Sequence, residues 1–272
     1  MSGSPTVSAP IRPVAAALAA VALCTACAGA TPAAPSARDS TTATTPGTTA
    51  PVASTQAAPE PPVVLLDPGH NGGNADRPRE INRPVPDGRG GTKPCNTTGT
   101  STDDGYAEHA FTWDLAQRVR ARLEAAGVRV VLTRPDDAGV GPCVNARGAA
   151  AARAGAAVAV SLHADGTAPS ARGFHVAYAD PAVPGGKASP ELATALRDAL
   201  RDARFAPADY IGRDGLDGRD NLAGLNLSRV PTALVEAANV RNAAEARLVS
   251  TPAGRDRYAD AVADGVLGYL RR

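Results

Sequence analysis

Pro62-Val63-Val64-Leu65-Leu66-Asp67, halted by Pro68-Gly69 and followed by His70, decides how this chain is read. A short apolar run closed by a Pro-Gly turn signal reads as a strand buried inside a sheet. From Asn71 to Gly105 the sequence turns polar and rich in Gly and Pro. That stretch far exceeds the usual connection of about 4–6 residues, so an irregular or hairpin insert is expected at about 71–105. A helix is predicted from about Tyr106 to Ala126. Asp103 and Asp104 offer N-caps, Phe111, Leu115, Val119 and Leu123 form an i, i+4 stripe, and Gly127 supplies the stop. Further out, strands are predicted over 128–132, 156–162, 173–178 and 232–235. Helices are predicted over 145–154, 190–204 and 256–270, the second with Leu192, Leu196 and Leu200 on one side. Strands alternating with helices imply an α/β fold: a single domain over 63–272, with a twisted, mostly parallel sheet flanked by helices.

Composition supports one real core and narrows the partners. Hydrophobic residues make up 43% of the 272, ample for a single α/β core. With 28 basic against 27 acidic residues the net charge is +1, and no basic stripe is present, so nucleic acid is excluded as a partner.

The N-terminus reads as a targeting segment. Arg12 and the α-amino group flank the apolar run Val14 to Ala26, which is well short of the ~20 residues a membrane span requires. Residues 1–30 are therefore expected to be a signal peptide or a lipoprotein signal. Ala28-Gly29-Ala30 is a small-x-small cleavage site that would free the protein. Cys24-Thr25-Ala26-Cys27 resembles a lipobox, with Cys24 where a large aliphatic residue is usual. Residues 31–62 are almost wholly Ala, Thr, Pro and Ser, too poor in apolar surface to offset chain entropy, and read as a disordered linker. The expected location is outside the cytoplasm: secreted, periplasmic or cell-wall associated, with membrane contact only through a lipid on Cys27. The expected state is a monomer. In an oxidising compartment Cys95 and Cys143, each in a Gly/Pro-rich loop, should pair. A competing reading, two zinc thiolates, is weakened by the lack of a C-x-x-C pair.

Three buried strands run into residues that can bind or activate something. They reach Asp67-Pro68-Gly69-His70, Ser161-Leu162-His163-Ala164-Asp165 and Leu234-Val235-Glu236. In open parallel sheets ligands bind beyond the carboxyl ends of the strands, so two imidazoles and a carboxylate are aimed at one edge. Imidazole nitrogen and carboxylate oxygen are what zinc takes, and a hydrolytic site keeps three protein ligands plus a water. Glu108, in the first turn of the long helix and three residues before Phe111, is the candidate third ligand, with His109 as its competitor. Zinc brings the pKa of a bound water to about 7. Glu236 fits the separate role of a carboxylate that takes the water's proton and delivers it to the leaving amine.

These segments resemble the zinc-dependent N-acetylmuramoyl-L-alanine amidases of the Amidase_3 family. The resemblance covers about 63–271 in the family's order, and includes Val130-Val131-Leu132-Thr133-Arg134 and Arg147. It implies His70, Glu108 and His163 as ligands of one Zn2+ per chain and Glu236 as the catalytic residue. The implied substrate is peptidoglycan or its muropeptide fragments, cut between the lactyl group of N-acetylmuramic acid and the L-alanine of the stem peptide. Where the family usually carries a Gly soon after the catalytic Glu, this chain has Ala237-Ala238-Asn239, which bears on the loop expected there.

Blander readings stand beside these. A first-turn acid such as Glu108 is favoured by the helix dipole alone. Glu236 ends an apolar strand, where an unpaired charge is costly. His175 reads as a sheet residue near the cleft, Asp165 as a partner for His163 or a turn former, and Arg147 as a partner for an acid or for substrate. Two other functions remain open at this level: a catalytically inactive cell-wall-binding module, and another zinc hydrolase such as a carboxypeptidase or deacetylase.

Overall fold

A computed structural model describes residues 60–272. The signal expected at 1–30, Cys27 and the expected linker up to residue 59 lie outside the described residues. The first apolar run forms β1 (Val63–Pro68), buried along nearly its whole length. The Gly/Pro-rich stretch holds a one-turn helix α1 (Pro78–Ile81) and a short hairpin, β2 (Pro84–Pro86) with β3 (Thr92–Pro94). Next come α2 (Glu108–Ala125), β4 (Arg129–Leu132), the short helices α3 (Val144–Gly148) and α4 (Ala150–Arg153), and β5 (Val158–Asp165). The chain continues through β6 (His175–Ala179), α5 (Ser189–Asp202), β7 (Leu216–Arg219) and α6 (Ala223–Asn226). It closes with β8 (Thr232–Asn239), α7 (Ala243–Ser250) and α8 (Pro252–Leu270).

The stripe on α2 forms as predicted, with Phe111, Leu115, Val119 and Leu123 all buried. Its end is fixed by Gly127 at φ 81°, where Gly127 N–H bonds the Glu124 carbonyl and Val128 N–H bonds that of Leu123. A left-handed glycine with this pair of bonds is the Schellman stop. Its start differs from expectation. Ala107 holds the N-cap position, upstream Asp103 and Asp104 do not, and Glu108 is the first helical residue. The predicted 145–154 helix is split at Ala149, just after Gly148; glycine disfavours helix by about 1 kcal/mol relative to alanine.

The six-stranded sheet has the order β4-β1-β5-β8-β6-β7. β4, β1, β5 and β8 are parallel, β6 runs antiparallel to β8, and β7 is parallel to β6. β5 and β8 extend beyond their predicted ends, through His163 and Glu236, with a bulge between His163 and Asp165. The loop expected after Glu236 is therefore strand. Asn239 ends it, buried, with its side chain donating to the carbonyls of Ala168 and Ala171.

α2, α5 and α8 pack on one face over Val64, Leu66, Val160, Leu162 and Val235, the main core. The other face carries a thinner layer. α4 covers Leu65 and Ala159, α6 covers Ala177, and an open cleft of about 500 Å³ is left between. Cys95 and Cys143 form a disulfide, Cα–Cα 4.3 Å, tying the hairpin's end to the loop before α3. The hairpin tip is held to α6, Arg89 Nε donating to Asn226 Oδ1 at 3.2 Å and Asn226 Nδ2 to the Asp87 carbonyl at 3.0 Å. No helix among the described residues is long and apolar enough to cross a membrane.

Candidate active site

The turn that carries His70 is held by two buried arginines. Arg147 pairs with Asp67 Oδ1 at 2.7 Å and donates to the carbonyls of Pro68 and His70, each at 2.8 Å. Arg134, 1% exposed, donates to the carbonyls of Pro68 and His109, each at 3.0 Å, and pairs with Asp137. Burial alone would raise the Asp67 carboxyl, but the Arg147 guanidinium and the hydroxyls of Thr133 and Ser161 hold it below the usual range. Burial brings Arg134 down to about 10. This support matters because His70 sits at φ 59°, a left-handed conformation that costs a non-glycine residue about 1–3 kcal/mol. Gly69 leaves room for the approach: a Cβ there would lie 2.2 Å from His163 Cε1.

Glu108, 4% exposed, bridges the two histidines. Its Oε2 lies 3.1 Å from His70 Nε2 and its Oε1 3.0 Å from His163 Nδ1. The same oxygens accept the backbone N–H of Thr100 at 3.0 Å and of Ala164 at 3.1 Å. His70 Nδ1 faces the Thr97 carbonyl at 3.1 Å. A carbonyl can only accept, so Nδ1 carries a proton, and Nε2 is the nitrogen turned to Glu108. One ligand atom from each of His70, Glu108 and His163 can be chosen so that all lie within 4.8 Å of one another. Burial would raise the Glu108 carboxyl, but the contacts with His163 and His70 reverse this and hold it far below the usual range. For His70 burial lowers the imidazole and contact with Glu108 more than restores it. Two nitrogens and an oxygen converging at one point, with the Glu108 oxygens fixed by backbone N–H groups, fit a divalent ion of the zinc type.

Glu236 pairs in register with His163 on β5 and His175 on β6, and lines the cleft. Its Oε2 is buried without a hydrogen-bond partner among the described residues. Burial, with the negative charges of Glu108 and Asp165, pushes its carboxyl well above the usual range. His109, the competing ligand, is turned to Asp137, Nδ1 to Oδ2 2.7 Å. Asp165 does not orient His163; it accepts Gly166 N–H at 2.7 Å and the Tyr210 hydroxyl at 3.0 Å. Arg147 takes the acid-pairing option. Sequence reasoning passed over Thr97 and Thr100, which hold His70 and Glu108 through main-chain atoms; the polar run Thr97-Thr98-Gly99-Thr100 was the one available signal.

Three comparisons bear on this site. Residues 64–268 match the family model described as N-acetylmuramoyl-L-alanine amidase. An N-acetylmuramoyl-L-alanine amidase of Mycobacterium tuberculosis is 48% identical over 210 residues, 76% of this chain and 86% of the relative. The crystal structure of the amidase Ami1 from Mycobacterium smegmatis superposes with TM-score 0.75 at 47% identity, covering 78% of this chain and 98% of that one. The amidase AmiC2 of Nostoc punctiforme aligns with TM-score 0.59 at 26% identity, over 78% of this chain and 98% of its own.

Proposed function

Since the chain belongs to the N-acetylmuramoyl-L-alanine amidase family, we propose that His70, Glu108 and His163 hold one zinc ion per chain and that Glu236 manages the proton of the reaction. The chain is a peptidoglycan amidase. The bond cut is the amide between the lactyl group of N-acetylmuramic acid and the stem-peptide L-alanine. The observation that carries the site assignment is the bridging Glu108, which draws two imidazoles together beside a second carboxylate of opposite character.

When bound, zinc acidifies the attacking water and polarises the scissile carbonyl. Glu236 accepts the water's proton and returns it to the alanine nitrogen as the C–N bond breaks. Its burial and its acidic neighbours raise the proton affinity of that carboxylate, which suits a base at neutral pH. Arg134 and Arg147 keep the Pro68–His70 turn fixed, and the cleft floor of Leu65, Ala159 and Leu234 is apolar. We further read 1–30 as an export signal, 31–62 as a tether and 63–272 as the catalytic domain. On this reading the enzyme works outside the cytoplasm, released or anchored by a lipid at Cys27.

A muropeptide digest followed by mass spectrometry tests the reaction and the metal together. Stem peptides with a free L-alanine amine should appear, vanish on chelation, and track a protein that holds about one zinc per chain. Release of D-alanine or of acetate in place of that cut would instead indicate a carboxypeptidase or a deacetylase.

A further inference from the structure

β6 is the strand that reverses direction, and it sets His175 directly across from Glu236. Residues opposed in a ladder share a face, so His163, Glu236 and His175 form one row across β5, β8 and β6. His175 is 3% exposed. Its Nδ1 is buried and lacks a hydrogen-bond partner among the described residues, and the same is true of Glu236 Oε2. Buried polar atoms are ordinarily satisfied, and each exception is costly. Here two exceptions fall on adjacent members of one row.

The other charged groups nearby are engaged elsewhere. Asp165 takes the Tyr210 hydroxyl at 3.0 Å, and Asp217 takes Arg219 Nη1 at 3.1 Å. The Tyr210 ring stands edge-on to the imidazole with centroids 6.1 Å apart. Burial lowers the His175 imidazole, opposed by Asp165 and Asp217, so the ring is neutral and carries one N–H.

We propose that His175 is the positioning residue of Glu236: the two stand in register without a hydrogen bond in this structure, and as the Glu236 carboxylate turns to the attacking water the unpartnered Nδ1 becomes its N–H donor and holds its aim. This rests on the reading of Glu236 as the proton carrier. His175 itself touches neither substrate nor metal. A neutral donor of this kind fixes the carboxylate's orientation without neutralising the charge that makes it a base, much as outer partners fix the ligands of metal sites.

Steady-state kinetics of four full-chain variants test it: His175→Leu, His175→Asn, Glu236→Gln and the double variant His175→Leu with Glu236→Gln, each with its zinc content measured. His175→Leu should lower kcat about 10–100-fold with KM and zinc unchanged. His175→Asn, whose amide nitrogen takes the place of Nδ1, should recover most of that loss. In the Glu236→Gln background His175→Leu should cost nothing more, since the group it positions is gone. Unaltered kcat in His175→Leu, failure of Asn to rescue, or additive losses in the double variant would each overturn the proposal. Full activity in Glu236→Gln alone would instead strike the reading of Glu236, and so separates the two failures.

Discussion

Glu108 and Glu236 present one functional group to opposite surroundings. Burial favours the neutral form of both. Glu108 lies between His163 and His70 and stays far below the usual range, whereas Glu236 meets the charges of Glu108 and Asp165 and rises well above it. Environments that push two carboxylates apart assign them different work. Glu236→Gln should keep its zinc and its fold while kcat falls about 10²–10⁴-fold with KM little changed. Glu108→Gln should lose zinc, and activity only through that loss. Metal analysis and muramyl-alanine cleavage on both variants decide it; zinc lost from the first and kept by the second would mean the two roles are exchanged. At this scale His70, His163 and Glu236 were legible because each interrupts or closes an apolar run, where its residue type is conspicuous. Asp67, Thr97 and Thr100 were not. Asp67 works by anchoring Arg147, and the threonines offer main-chain groups that any residue type would carry. The left-handed backbone of His70 had no sequence signal either, since it is imposed by contacts from Arg147, distant in the chain.

Elements with long periodic patterns were readable and short ones were not. α2 and α5 announce themselves through buried stripes at helical spacing. β7, Leu216-Asp217-Gly218-Arg219, has one large apolar residue and too few positions to show alternation. α7 does carry a signal in its cap. Asn242 accepts the N–H groups of Ala244 and Glu245, and an Asn followed three residues later by Glu resembles the capping-box spacing. The insert was legible as irregular from its Gly and Pro content, and it is joined to the loop before α3 by the Cys95–Cys143 bond across 48 residues. Thiol titration of denatured, unreduced protein should find no free cysteine in 60–272. Replacing both cysteines by serine should lower stability by about 4 kcal/mol on the chain-entropy model, seen as a lower urea midpoint. One or two reactive thiols would refute the pairing.

For the whole molecule, α/β alternation predicted the parallel sheet, but the reversal at β6 was harder to see. Its trace is the stretch 166–174, which contains no helix. Parallel strands need a crossover of a dozen residues or more, so a short connection argues for a strand that turns back. That return places the first residue of β6 at the edge where β5 and β8 approach their ends, and so completes the row beside Glu236. The disulfide has a topological consequence of its own. It closes the backbone from Cys95 to Cys143 into a covalent ring that includes α2, and Glu108 with it, while His70 and His163 belong to the tails on either side. One protease cut anywhere in 96–142 opens the ring without severing the molecule. Such a nicked protein should migrate as a single band on a non-reducing gel and as two after reductant. Until then the half bearing Glu108 is kept by its tether at high effective concentration beside its partners.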